Sequence, residues 1–236
     1  MVPEMFIFVS LLLKNSFYLM ELPNDTYRHK GLRKKLVEEV RSKGIHHQMV
    51  LDALEAVPRH FFLDSSFLEM AYQDKAFPIG SGQTISQPYT VAFQTDLLEV
   101  QKGDRILEVG TGSGYQACIL AQMGARVFSI ERHLSLYRKT KALLDLMGYR
   151  VKLFYGDGYK GLPAFSPFHS ILLTAAPPEV PGVLLAQLRT GGRLVVPLGK
   201  GNTQVMTRIT KEAEGVYREE QFGYFRFVPM LGDKAP

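Results

Sequence analysis

The chain has 236 residues, of which 46% are hydrophobic and 22% charged, as is typical of a globular protein with a sizeable core. Its formal net charge of +5 comes from basic residues spread along the chain, which argues against a nucleic-acid-binding protein. A single cysteine, Cys118, excludes an intrachain disulfide and predicts a reducing, cytoplasmic location, while the lack of paired cysteines or an HExxH motif predicts no metal site.

The first 19 residues contain an apolar run, MFIFVSLLL, that Lys14 and Asn15 interrupt. The run is short for a membrane span, and Pro3 and Glu4 stand where a signal peptide would carry positive charge. We therefore expect residues 1–19 to be a dispensable extension before a natural start at Met20, with a signal anchor as the alternative. No stable membrane association is predicted.

Residues 20–100 are predicted to form a helical and substrate-binding subregion. Apolar residues at helical spacing predict two helices between Gly31 and Val57, and Pro58 ends the second. A segment dense in Gly, Ser, Thr and Gln follows, AFPIGSGQTISQPYT, and no charged residue lies between Lys75 and Asp96. Pro88 suits the first position of a further helix.

Residues 101–236 alternate short apolar runs with helical patterns, which predicts right-handed βαβ units and a parallel sheet covered on both faces. The last two apolar runs have no helical pattern between them and predict an antiparallel pair at one sheet edge, in an order that stays open. The predicted strands are RILEVG, RVFSIE, VKLFYGD, SILLTAA, RLVVPLG, QVMTRIT and EEQFGYFRFVPM, and the predicted helices are YQACILAQMG, LSLYRKTKALLDLMG and PGVLLAQLRTGG. The fold class is thus α/β, a doubly wound, mostly parallel seven-stranded sheet in one domain over residues 20–236.

A glycine-rich turn joins the first of these strands to its helix. LEVGTGSGY places Gly110, Gly112 and Gly114 there, where glycine permits positive φ and a ligand can approach the backbone and the free N–H groups of the helix. The spacing differs from the GxGxxG of dinucleotide-binding proteins, and a plain tight turn is the simpler alternative. An acid, Glu108, precedes the first glycine by two positions.

Acidic residues also follow the next two strands. Glu131 ends the second strand and could accept both hydroxyls of a ribose, and Asp157, in YGDGY, could accept from an adenine amino group. Because the carboxyl ends of parallel strands share one sheet edge, these acids should lie near the glycine turn. With no phosphate-binding lysine, the set favours a nucleoside that carries a cation, such as S-adenosylmethionine, over a pyrophosphate.

These motifs, together with AVPRHFF, ILLTAAPPEVP and above all GQTISQP, make the chain resemble the protein-L-isoaspartate O-methyltransferase family from about Leu32 to Ile209. The resemblance implies a monomeric repair enzyme that methylates isoaspartyl residues of damaged proteins and peptides with S-adenosylmethionine, after which the ester collapses to a succinimide. It also implies Ser86 as the active-site residue, with Thr84 beside it. The cofactor contacts that it implies are Gln83, Glu108, Gly110, Thr111, Gly112, Gly114, Glu131, Asp157 and Gly158.

The neutral character of the substrate segment has a physical reason. A carboxylate is ionised at pH 7 and needs no base. Its charge and that of the sulfonium cancel in the transition state, so a cationic clamp would stabilise the ground state more than the transition state. Thr84 and Ser86 could instead donate hydrogen bonds to the carboxylate, although from spacing alone they could equally cap the helix at Pro88.

Two other functions stay open on the residues alone. A methyltransferase for small molecules or nucleic acids should have an aromatic or basic substrate pocket, which the uncharged segment does not suggest. A cofactor-binding protein without catalytic activity should keep the glycines and lose the substrate segment, whereas GQTISQP is present.

Overall fold

Seven strands form one sheet in the order β5-β4-β3-β6-β7-β8-β9 in the computed structural model, which describes residues 22–236. The strands are β1 Phe77–Gly80, β2 Gln83–Ile85, β3 Arg105–Val109, β4 Arg126–Glu131, β5 Lys152–Tyr155, β6 Phe168–Leu173, β7 Leu188–Leu198, β8 Gln204–Ala213 and β9 Val216–Phe225. The α-helices are α1 Tyr27–Ser42, α2 Gln48–Ala56, α3 Pro88–Leu98, α4 Tyr115–Gln122, α5 Leu134–Met147 and α6 Gly182–Ala186. The predictions for residues 1–19 concern a part of the chain outside these residues.

The predicted mostly parallel, seven-stranded sheet is confirmed. Neighbouring strands from β5 to β7 pair in parallel, and β8 and β9 add an antiparallel pair at one edge. The last two strands follow sequence order, which settles the point that the sequence left open. No helix among residues 22–236 is long and apolar enough to cross a membrane.

Both faces of the sheet are buried, as a doubly wound fold requires. Ile106 and Leu172 contribute to one core cluster with helices α1 to α5, whereas Leu107 and Ile171 contribute to a second cluster with α6. Adjacent residues of a strand point to opposite faces, so each central strand supplies both clusters. The continuous apolar runs in the sequence have this cause.

The helical subregion packs on the first of these faces. The two helices predicted before Pro58 are present as α1 and α2, and their apolar faces join the larger core cluster. Pro88 occupies the first turn of α3, as predicted, and the N-cap residue is Gln87, whose side chain makes no capping hydrogen bond.

The predicted helix over PGVLLAQLRTGG is wrong in its second half. Helix α6 ends at Ala186, and β7 begins at Leu188, which pairs with Phe168 before the register shifts. Gly191 has a φ of 76°, and a Cβ on Gly192 would lie 2.8 Å from the carbonyl oxygen of Arg189. The apolar residues after Ala186 have helical spacing, but they form a strand because they pair with β6. The glycines permit the irregular backbone at the start of this strand.

Part of the hydroxyl-rich segment forms a hairpin that the sequence did not predict. Strands β1 and β2 pair antiparallel across the turn residues Ser81 and Gly82, whose φ values of 52° and 67° follow the pattern of a type I′ turn. The hairpin therefore presents the backbone of Gln83–Ile85 as a strand directly before Ser86 and α3.

Candidate active site

A cavity of about 830 Å³ opens at the carboxyl ends of the central strands. This volume lies within the range of about 300–1,000 Å³ that is common for small-molecule sites. Its lining comes from the substrate segment 83–87, the glycine turn 109–113, Glu131, and a C-terminal segment, residues 223–231. The cavity thus brings together most of the predicted site residues: Gln83, Thr84, Ser86, Gly110, Thr111, Gly112, Glu131 and Gly158.

The glycine turn needs its glycines for space as well as for conformation. Gly110 and Gly114 have φ values of 100° and 86°. A Cβ on Gly114 would lie 2.7 Å from Thr140 Cγ2, and one on Gly110 would overlap Thr174 Oγ1. Gly114 is the N-cap residue of α4 and does not line the cavity, so its part in the site is to shape the turn. The bare backbone leaves room for a ligand in close contact.

Glu131 links the turn to the end of β4. Its Oε2 accepts from the amide of Gly112 at 2.8 Å, and its Oε1 accepts from the amide of His133 at 2.8 Å. A carboxylate offers about four acceptor positions, so roughly two remain for a ligand after these bonds. The residue is 4% exposed and lines the cavity, and its contact with ribose hydroxyls stays a prediction.

Glu108 lies beneath the turn and does not line the cavity. Ser129 Oγ donates to Glu108 Oε2 at 2.5 Å and lies 2.6 Å from Thr111 Oγ1. Burial raises the pKa of Glu108 to about 8, so the carboxyl is largely neutral at pH 7. It reaches the cavity only through Ser129 and Thr111, and a direct contact with the cofactor stays a prediction.

The adjacent residues Asp157 and Gly158 border different cavities in the structure. Gly158 lines the cavity, packed so closely against Val109 that a Cβ would overlap that side chain. The Asp157 carboxylate accepts from the amide of Tyr159 at 2.9 Å and borders a neighbouring recess that Lys234 also lines. The predicted contact of Asp157 with an adenine stays a prediction.

The hydroxyl of Ser86 makes no hydrogen bond to any other residue in the range 22–236. The first turn of α3 is instead capped by Asp74, whose Oδ1 accepts from the amide of Tyr89 at 2.7 Å and whose Oδ2 accepts from Gln87 Nε2 at 2.8 Å. A carboxylate at a helix N-terminus is stabilising, and here it leaves Ser86 free to face the cavity. This arrangement removes the ground for the capping alternative.

Two buried charged side chains lie behind the substrate segment and were not predicted from the sequence. Asp74, with a side chain that is 3% exposed, also pairs with Lys43. Arg59 is fully buried and donates to the carbonyl oxygen of Ser86 at 3.0 Å. No local sequence motif marks Asp74 or Arg59 as a residue that supports this segment. Each forms its hydrogen bonds with residues that are distant in sequence.

The C-terminal segment was also missed. Its first three residues end β9, and residues 226–231 continue along the cavity. Tyr224 is 78% exposed at the rim, and Arg226 is exposed nearby. The sequence showed this part only as the continuation of a strand. An exposed aromatic ring beside a cation suits contacts with a polypeptide substrate.

One group in the helical subregion has the composition of a metal site. Ligand atoms of Asp25, His29 and His60 lie within 4.8 Å of one another. Both Asp25 oxygens already accept from Arg33, at 3.1 and 3.0 Å, and the two imidazole rings pack with centroids 4.0 Å apart. Asp25 is thus engaged in an ion pair with Arg33, and none of the three residues lines the cavity.

Comparisons with known proteins agree with this geometry. The family model for protein-L-isoaspartate(D-aspartate) O-methyltransferase matches residues 31–235. The protein-L-isoaspartate O-methyltransferase of Flavobacterium psychrophilum is 56% identical over 211 residues, which cover 89% of this chain and 99% of the relative. That of Cytophaga hutchinsonii is 56% identical over 208 residues, which cover 88% of this chain and 94% of the relative.

Solved structures of similar proteins share the fold. One protein-L-isoaspartate O-methyltransferase superimposes with a TM-score of 0.77 at 28% identity, covering 85% of this chain and 66% of the solved one. The enzyme from Plasmodium falciparum, solved in complex with S-adenosyl-L-homocysteine, gives 0.74 at 25% identity, covering 84% of this chain and 98% of the solved one. From the match over residues 31–235 and the identity to these relatives, the chain belongs to the protein-L-isoaspartate(D-aspartate) O-methyltransferase family.

Proposed function

We propose that the hydroxyls of Thr84 and Ser86 hold the carboxylate of an isoaspartyl residue against a cofactor bound on the glycine turn. The reaction follows from the family: the protein transfers a methyl group from S-adenosylmethionine to the free carboxylate of L-isoaspartyl residues, the first step of their repair. The observation that carries the proposal is the unpaired hydroxyl of Ser86, within the described part of the chain, on the lining that Glu131 shares.

The residues of the turn fit the cofactor. The backbone of Gly110–Gly112 offers room for close approach, and the free acceptor positions of Glu131 suit the two ribose hydroxyls. Gly158 leaves space at the neighbouring strand end. When bound, S-adenosylmethionine supplies a positively charged sulfonium whose methyl group is the electrophile.

The substrate segment supplies position without charge. The isoaspartyl carboxylate is ionised at pH 7, so no residue has to remove a proton from it. Two hydroxyl donors can orient one oxygen for attack while keeping the other satisfied. Arg59 is the nearby cation that donates to this segment, and its N–H groups point at backbone carbonyls, so its charge does not clamp the carboxylate. Most of the rate then comes from alignment, which can contribute up to about 7–11 kcal/mol.

Three finer properties extend the proposal. The substrates are isoaspartyl-containing proteins and peptides, for which the exposed rim at Tyr224 gives access. The protein works as a monomer, which sedimentation equilibrium would test. It works in the cytoplasm, where a reducing environment suits a chain whose single cysteine, Cys118, is a buried thiol.

Peptide binding tests the placement of the carboxylate. The protein is saturated with S-adenosylhomocysteine and titrated with an isoaspartyl peptide, as wild type and as the Thr84→Ala/Ser86→Ala double variant. Loss of two hydrogen bonds to a charged group should weaken peptide binding at least about tenfold. Binding of S-adenosylhomocysteine should change less than threefold, since neither hydroxyl belongs to the turn. Equal peptide affinity in both proteins would contradict the proposal.

A further inference from the structure

Arg59 closes the base of the hairpin that carries the substrate segment. It is fully buried, and its Nε donates to the carbonyl oxygen of Ala71 at 3.1 Å. Its Nη2 donates to Lys75 O at 3.0 Å, and its Nη1 donates to Ser86 O at 3.0 Å. Lys75 precedes β1 and Ser86 follows β2, so one rigid guanidinium fixes both ends of the hairpin.

The same side chain contacts the cofactor side of the cavity. The guanidinium carbon lies 5.1 Å from the ring centroid of Tyr115, the first residue of α4 after the glycine turn. The hairpin itself lies against that turn, since a Cβ on Gly112 would be 3.4 Å from Ile79 Cδ1. Arg59 therefore joins the segment that holds the substrate to the helix that begins at the cofactor turn.

Burial of the charged Arg59 guanidinium costs free energy. Burial lowers its pKa to about 10, so it still carries its charge at pH 7. Within residues 22–236 its hydrogen bonds go to carbonyl oxygens and not to a carboxylate. The Asp74 carboxylate attracts this charge but forms no salt bridge with it among these residues, so the cost of burial is only partly offset, which points to a requirement for the geometry of Arg59.

We propose that Arg59 is a positioning residue for methyl transfer: through the Ser86 carbonyl it sets the distance between the Ser86 hydroxyl and the cofactor turn. Strands of three and four residues do not form a stable hairpin alone, so the hairpin depends on outside contacts for its position. Displacement of a reacting group by 1 Å can lower a rate by about 10²-fold. The inference rests on the proposed role of Ser86.

The test compares Arg59→Lys and Arg59→Gln with wild type and with a control, Arg33→Lys. Arg33 is also buried, but its guanidinium binds Asp25, Tyr72 and the carbonyl of Glu55, away from the cavity. The rate of methyl transfer is measured in a single turnover at a saturating concentration of isoaspartyl peptide. It is then divided by the number of S-adenosylhomocysteine binding sites per chain, which calorimetry gives. This ratio excludes unfolded protein from the comparison.

The rate per site should fall about 10- to 100-fold in both Arg59 variants, with S-adenosylhomocysteine affinity within about threefold, and should stay unchanged in Arg33→Lys. In a Ser86→Ala background, Arg59→Lys should lower the rate by a smaller factor, because both changes affect one hydroxyl. A wild-type rate per site in the Arg59 variants, or the loss of all cofactor sites in both, would overturn the inference in favour of a purely structural role. An inactive wild type would instead refute the proposed function.

Discussion

Replacing Ser86 by alanine distinguishes a role of this residue in catalysis from a role in stability. The side chain is half-buried, and its hydroxyl makes no hydrogen bond to another residue among those the structure describes. Asp74 already caps helix α3 through the amide of Tyr89. The change should therefore alter the free energy of unfolding by no more than about 0.5 kcal/mol.

The rate should respond differently. A lost orienting hydroxyl should lower the single-turnover rate on an isoaspartyl peptide by about 10- to 100-fold, somewhat less than removal of an oxyanion-hole donor. The affinity for S-adenosylhomocysteine should stay within a few-fold, since the glycine turn and Glu131 are untouched. A lysine at this position should not restore the rate, because a cation stabilises the separated charges of the ground state.

Thermal denaturation and rapid-quench measurement of labelled methyl transfer on the same preparation provide the assay. Ser42→Ala is the matched control: its hydroxyl donates to Glu39 O at the end of α1, and it does not line the cavity. If Ser86 were only a cap, its loss would remove about 1 kcal/mol of stability. In a chain of this size that equals about 2–4 °C in melting temperature. Such a loss together with a normal rate would show that Ser86 only caps the helix.

Three further outcomes are expected. Glu131→Ala should weaken S-adenosylhomocysteine binding by roughly 1.5–3 kcal/mol in calorimetry, because the ribose loses a charged acceptor, and unchanged affinity would place Glu131 outside the site. Burial raises the pKa of Glu108 from 4.5 to about 8, so the folded protein keeps a proton that the unfolded chain releases. The free energy of unfolding should then fall by up to a few kcal/mol as pH rises from about 5 to 8. The melting temperature of the neutral variant Glu108→Gln should lack this fall. The same pH dependence in wild type and variant would argue against a buried, protonated Glu108. A chain that starts at Met20 should keep its melting temperature and rate, and a clear drop in either would show that residues 1–19 contribute.

The parts predicted from sequence are those that local chemistry determines. Glycines between a strand and a helix, and an acid at the end of the next strand, sit at one edge of any parallel sheet, so Gly110, Gly112 and Glu131 could be grouped without a structure. The burial of Glu108 could also have been predicted. It lies between Leu107 and Val109 in β3, so the alternation of strand side chains turns it to the opposite face, where α4 packs.

The parts that were missed depend on contacts between distant segments. Leu188 joins a strand because Phe168 pairs with it, and no pattern near Leu188 reveals that. Asp74 accepts a hydrogen bond from the first turn of α3, and Arg59 donates one to the carbonyl oxygen of Ser86. Both charged residues lie outside the uncharged segment, so its sequence showed no sign of them. The C-terminal segment lines the cavity only because the order of β8 and β9 brings it there.

Transfer of a labelled methyl group from S-adenosylmethionine to paired peptides measures both the reaction and its selectivity for isoaspartyl residues. The two peptides have one sequence and differ only in L-isoaspartyl or L-aspartyl at a single position. We expect base-labile label on the isoaspartyl peptide, little or none on the aspartyl peptide, and a sharp loss of labelling with Ser86→Ala. Equal labelling of both peptides, or none of either by folded protein that binds S-adenosylhomocysteine, would contradict this expectation.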